Sequence, residues 1–289
     1  MKCRNVDVAP LKKVVPKLHT SKNEPEMIIT SVYNYKKDPQ RDMKVDCNFQ
    51  YIANFYNSII FYKLNAVIIH DCFSKEFIDR FSTSNIKFVK VNANKDMSTN
   101  DFRFVQYNKY IEQHVSPYYM FVDASDVFFN GNPFNYMKRN EHGHRLFMGP
   151  DIGKFHKNAW QVKKCYNRTG EFWDQNVKMH NAGVWGGNYH TSKCILECFV
   201  NQLTTTLKGR GNCNMPALNW CVHFGNCTDE NTVEDQPDFV NPFRKECRGD
   251  HLIIHNKCKD TEGKVCLVKK YGKLVLKNRN FDKKCQNVK

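Results

Sequence analysis

Apolar residues in the first half of this chain come as short continuous runs, and between the runs they recur every three or four residues. Met27–Val32, Ala66–His70 and Ile86–Val91 are short and rich in apolar residues, so they predict strands of a sheet covered on both faces. Between the first two, Ile52, Phe55, Tyr56, Ile59 and Ile60 fall on one face of a helix that Asp46 can cap. Ser74 to Phe81 predicts a short helix. Phe104, Tyr107, Tyr110 and Ile111 predict another that opens near Thr99 or Asn100 and stops before Pro117. The next run, Tyr118-Tyr-Met-Phe-Val122, ends in Asp123, with Asp126 and a further apolar run, Val127–Phe129, behind it. Strands alternating with amphipathic helices predict an α/β fold: a mostly parallel, Rossmann-like sheet with helices on both faces.

The second half is less regular. Arg145–Gly149 and His180–Gly187 read as strands, the latter dense in glycine. Thr191 can cap a helix that turns Ile195, Leu196, Phe199, Val200, Leu203 and Leu207 inward. A short helix over Met215–Val222, a strand over His251–His255 and a hairpin of Val265–Val268 with Lys273–Leu276 around Tyr271-Gly272 complete the reading. The expected organisation is a basic, proline-punctuated arm over 1–25, one domain over 26–260, and a basic hairpin and tail over 261–289.

Carboxylates at the end of an apolar strand are costly to bury without a partner, which points Asp123 and Asp126 toward a divalent cation. Mg²⁺ and Mn²⁺ take oxygen ligands, commonly one or two carboxylates together with substrate phosphates. Ligands of such sheets bind at the carboxyl ends of the strands, where both aspartates lie. A turn-capping role for the same Asp-x-x-Asp is the alternative. In an extended strand Asp126 points away from Asp123, so it joins a shared site only if the chain turns, and a water held by Ser125 is the other option.

The formal net charge of +15 suits acidic partners without choosing among them. The basic residues are dispersed and no RNA-recognition, helix-turn-helix or zinc-finger pattern occurs, so nucleic acid is not the expected partner. Only Cys3, Cys47 and Cys72 precede residue 165, whereas ten of the 13 cysteines lie from Cys165 to Cys285. None forms Cys-x-x-Cys, so the cysteine-rich C-terminal portion reads as disulfide-stapled, which places the chain in the secretory lumen (Golgi or ER) or outside the cell. A cytoplasmic protein with buried thiols is the alternative. Two glycosylation sequons begin at Asn167 and Asn226. No apolar run is long enough to cross a bilayer, and the first residues lack the apolar core of a signal peptide.

The acidic strand end, Asn181-Ala-Gly183 and the late strand ending in His255-Asn-Lys257 occur in an order that resembles a GT-A fold glycosyltransferase, over roughly residues 26 to 258. The resemblance implies transfer of a sugar from a nucleotide-diphosphate donor, a UDP-sugar foremost, to a glycan, protein or lipid acceptor with Mn²⁺ or Mg²⁺. It implies Asp123, Asp126 and His255 as metal ligands, Lys257 as a diphosphate partner, and Thr30, Val32 and Tyr33 as contacts to the base. One departure is that two residues, not one, separate the carboxylates. The late histidine leans by resemblance toward a retaining enzyme.

Other residues fit around that chemistry. Asn181 and Ala182 with Gly183 offer an amide and bare backbone to a sugar; the alternative is that the glycines mark a bulge. Arg103 can reach the nucleotide, or form a surface ion pair. Asp151 and Asp174, with Glu171, are the candidates for an acceptor-side base. His142-Gly-His144 reads as a solvated loop. A nucleotidyltransferase would need a glycine-bearing phosphate loop after the first strand, which Ser31–Lys36 lacks. A secreted, non-catalytic glycan-binding protein would not need the acidic strand end.

Overall fold

The computed structural model describes residues 24–39, 42–141, 146–154, 165–166, 178–227, 233–234, 239–240 and 251–255. Asp174, Glu171, Lys257, His142, His144, the Asn167 sequon and the expected C-terminal hairpin lie outside them. Nine strands occur among the described residues: β1 (Met27–Val32), β2 (Ala66–His70), β3 (Ile86–Lys90), β4 (Tyr118–Val122), β5 (Val127–Phe129), β6 (Leu146–Lys154), β7 (Lys178–Asn188), β8 (Val233–Glu234) and β9 (Ile253–His255). The helices are α1 (Phe49–Phe61), α2 (Lys75–Phe81), α3 (Thr99–Gln113), α4 (Pro133–Arg139), α5 (Tyr189–Thr204) and α6 (Asn214–Phe224).

Seven strands form one sheet in the order β3-β2-β1-β4-β7-β6-β8, and β5 pairs with β9 in a second, two-stranded sheet. The pairings of β1 with β2 and β4, of β2 with β3, and of β6 with β8 are parallel. β7 runs antiparallel to both its neighbours. The expected mostly parallel α/β sheet is therefore present, with β7 inserted against the prevailing direction.

Strand alternation divides the interior into two cores. Met27, Ile29, Tyr119 and Phe121 face α3, α5 and α6, while Ile28, Val32, Tyr118 and Met120 face α1 and the small sheet. Phe104 of α3 stacks on Phe199 of α5 with ring centroids 4.2 Å apart, each buried ring contributing roughly 1.5–3 kcal/mol. At Gly186 an added Cβ would stand 2.2 Å from the Tyr119 carbonyl oxygen, which explains the glycine opposite β4. Gly186 marks close approach, whereas Gly183 lies in the first register irregularity with β6, where Ala182–Val184 of β7 stand between the partners of Met148 and Gly149; a second irregularity follows between Pro150 and Lys154 of β6.

Two caps differ from the sequence expectation. Asn48, not Asp46, closes α1 by accepting from the Tyr51 amide. Asn188, not Thr191, caps α5, because β7 runs directly into the helix and leaves its last residue at the cap position. The last strand is also shorter than expected, so His251 stands outside β9.

Disulfides link Cys165–Cys213, Cys194–Cys227 and Cys198–Cys221 in the second half, and Cys47–Cys72 in the first. Cys194 and Cys198 are four apart on α5, hence on one face, and tie it to α6 and the residues after it. Bridges of this number suit an oxidising compartment. In protein from its native source these eight cysteines are expected to resist iodoacetamide until a reductant is added, read by mass spectrometry; their labelling without reductant would refute the bridges.

Candidate active site

The chain runs from β1 through β2 to β3 on one side of the sheet and returns as β4 on the other side of β1. Loops leaving the carboxyl ends of β1 and β4 therefore diverge, opening a crevice between them. Asp123 stands at the end of β4, and its amide donates to the Gly183 carbonyl at 2.8 Å, one step beyond the last β4–β7 pair. Residues 124–126 then bend out of the main sheet, and the chain resumes as β5 against β9. Val127 registers with His255, which sets Asp126 beside that histidine. The turn on which a shared role for Asp126 depended is thus a change of sheet. Ligand atoms of Asp123, Asp126 and His255 all lie within 4.8 Å of one another.

The cluster is enclosed and polarised. Arg103, in the second turn of α3, donates from Nη1 to Asp123 Oδ1, and His255 Nε2 lies 3.5 Å from Asp123 Oδ2. Burial pushes the Asp123 carboxyl up, but Arg103 and then His255 outweigh it and hold it well below the usual carboxylate range. The carboxylate therefore stays ionised throughout the physiological range. Gly183 forms one wall: a Cβ there would stand 2.5 Å from His255 Cε1 and 2.6 Å from Asp123 Oδ2. Two carboxylates with an imidazole fit a hard or borderline divalent ion, Mn²⁺ as well as Mg²⁺.

No family model and no curated protein matches the chain in sequence. Among solved structures it is similar to the galactosyltransferase LgtC in complex with donor and acceptor sugar analogues, at 12% identity and TM-score 0.54, over 89% of this chain and 99% of that one. It is also similar to the glycosyltransferase GlyE of Streptococcus pneumoniae TIGR4, at 11% identity and TM-score 0.50, over 81% of this chain and 56% of that one. The fold is GT-A-like.

Within this GT-A-like frame the remaining sequence candidates fall at different depths. Asn181 is buried; its Nδ2 donates to Asp151 Oδ2 at 3.0 Å and its Oδ1 accepts from the Gly183 amide at 2.7 Å. Asp151 is thereby joined through Asn181 to the glycine wall of the acidic cluster. Ala182 is buried in the core that holds α3 and α5. Thr30, Val32 and Tyr33 are buried too, and the Thr30 hydroxyl donates to the Val122 carbonyl at 2.7 Å. They close the carboxyl end of β1, with Val32 and Tyr33 in the two cores, and Asn34, Tyr35 and Lys36 after them are half-buried. Arg103 is not at the surface; its side chain is 14% exposed and its charge is spent on Asp123.

One residue escaped the sequence reading. Asp71 follows β2 directly, the same placement that singled out Asp123 after β4, and its two oxygens accept from the Asn34 and Tyr35 amides at 2.8 and 3.0 Å. The signal was present: a carboxylate at the lip of an apolar strand.

Proposed function

We propose that the protein is a divalent-metal-dependent glycosyltransferase that moves a sugar from a nucleotide-diphosphate donor, a UDP-sugar, to a glycan, protein or lipid acceptor. The observation that carries this reading is the convergence of Asp123, Asp126 and His255 at the carboxyl edge of a GT-A-like sheet. When bound, a divalent ion supplies Lewis-acid stabilisation of the leaving nucleoside diphosphate. Asp123, Asp126 and His255 would hold it. Arg103 adds a fixed positive charge beside the carboxylate, in a setting shielded from water where such a charge acts strongly.

Asn181, fixed by Asp151 and the Gly183 amide, orients the wall against which the sugar ring would lie. Asp151 then serves as the acceptor-side carboxylate among the described residues, with Asp174 a second candidate, and Lys257, two residues past β9, as a diphosphate partner. The late-histidine arrangement favours retention. Four disulfides support a place in the secretory lumen or outside the cell. No helix among the described residues is long and apolar enough to cross a membrane.

The test is calorimetric titration of UDP with and without Mn²⁺. Wild type is expected to bind UDP more tightly with the metal. His255→Ala should lose at least about tenfold of that metal-dependent gain while uridine binding is unchanged. His251→Ala serves as control, since His251 lies before β9 and its carbonyl is engaged by Asn130 Nδ2 at 2.9 Å. Equal weakening of uridine and UDP would remove His255 from the metal shell, and UDP binding indifferent to Mn²⁺ would refute the proposal.

A further inference from the structure

The loop that leaves β1 is fastened at both ends to the end of β2. On its near limb the Asn34 and Tyr35 amides donate to the two carboxylate oxygens of Asp71, so one side chain grips two successive peptide units. Asn34 also reaches across the loop, donating from Nδ2 to the Val45 carbonyl at 2.7 Å. On the far limb Cys47 is bonded to Cys72, the residue after Asp71. Tyr35 adds a third tie, its hydroxyl donating to the Met97 carbonyl at 3.3 Å just ahead of α3.

This loop rims the crevice on the β1 side, whereas the acidic cluster lies on the β4 side. A backbone left loose here would have to be ordered by whatever binds, which scales apparent affinity down to the fraction of time the loop is correctly placed. We infer that Asp71 and the Cys47–Cys72 disulfide are positioning groups for the nucleoside half of the donor, so that affinity for it follows the redox state of this bridge. The inference rests on the donor reading above. Both cysteines are half-buried, as are Cys194 and Cys227, and so within reach of a small dithiol, whereas Cys165 and Cys213 are sealed in the core; the Cys47→Ser/Cys72→Ser variant isolates this bridge from the others. Reduction passes two electrons from the dithiol. Its thiolate attacks one sulfur of the bridge, the other cysteine leaves and is protonated, and the second thiol resolves the mixed disulfide, leaving two cysteine thiols and an oxidised reductant.

The experiment compares the whole chain with Cys47→Ser/Cys72→Ser and, separately, with Asp71→Asn. Asn keeps the shape but replaces one acceptor oxygen by an NH₂ group. Three measurements are made: UDP binding in the presence of Mn²⁺, binding of Mn²⁺ alone followed by its paramagnetic resonance, and amide hydrogen exchange of residues 33–48 without ligand. Faster exchange in the loop, UDP affinity lower by about tenfold and unchanged Mn²⁺ binding are expected in both variants. Wild-type protein that binds UDP, with variants matching it within twofold, overturns the inference and leaves the donor reading standing. Wild-type protein that binds no UDP overturns the donor reading, and the nucleoside role of the clasp with it. Loss of Mn²⁺ binding in both variants would mean that the bridge and Asp71 support the whole site, which also overturns the inference.

Discussion

Asp123→Asn is expected to lower Mn²⁺-dependent sugar release from a UDP-sugar by about a hundred- to a thousandfold. The substitution keeps the side chain's shape and removes its charge, and that charge is what would hold the ion against the departing diphosphate. It also leaves the buried Arg103 guanidinium without its hydrogen-bonded counter-charge, at a cost of up to about 3–5 kcal/mol in stability, with Asp126 the carboxylate that remains nearby. Turnover must therefore be measured below the variant's melting temperature, on protein whose near-ultraviolet circular dichroism matches wild type. Folded Asp123→Asn protein working within tenfold of the wild-type rate would show that Asp123 is a structural partner of Arg103 and nothing more.

Gly183→Ala is expected to be nearly as damaging, although glycine has no chemistry of its own. The added methyl carbon would stand within 3.0 Å of atoms of His255, Asp123 and Asn181 together. At least one of them has to move, and overpacking of this kind typically costs about 1–3 kcal/mol. We expect Mn²⁺ affinity, measured without donor, to fall by at least about tenfold, along with turnover. Preserved metal affinity would mean that His255 swings away without penalty, and the wall formed by Gly183 would then have no role in shaping the metal site.

The centre of the sheet was legible because β1, β2 and β4 are buried on both faces and so carry nearly continuous apolar runs; β1, β2 and α2 occur where the pattern put them. Asp123 was legible for the same reason, as a charge ending such a run. Asp126 was named by the resemblance but not by the strand pattern, because alternation along a strand assumes one strand, and here the chain changes sheets between Val122 and Val127. Nothing local announces the partner that makes this possible, since β9 lies far away in sequence. Helix caps failed differently: Asn48 and Asn188 compete with nearby Asp and Thr of similar capping strength, and the position of the preceding strand or loop decides between them. The bridge between Cys47 and Cys72 was hidden because the crowd of cysteines near the C-terminus drew the reading there, and pairing depends on loops meeting in space.

The pairing of β5 with β9 also sets an order of events during synthesis. Asp123 and Asp126 leave the ribosome with the first half of the chain, well before His255, the histidine that joins them in the fold. His255 reaches them only when the last described strand docks, a contact of high sequence separation and therefore slow to form. An incomplete nascent chain thus holds its two carboxylates without their histidine neighbour, so on the proposed reading competence for chemistry arrives only once β9 has emerged.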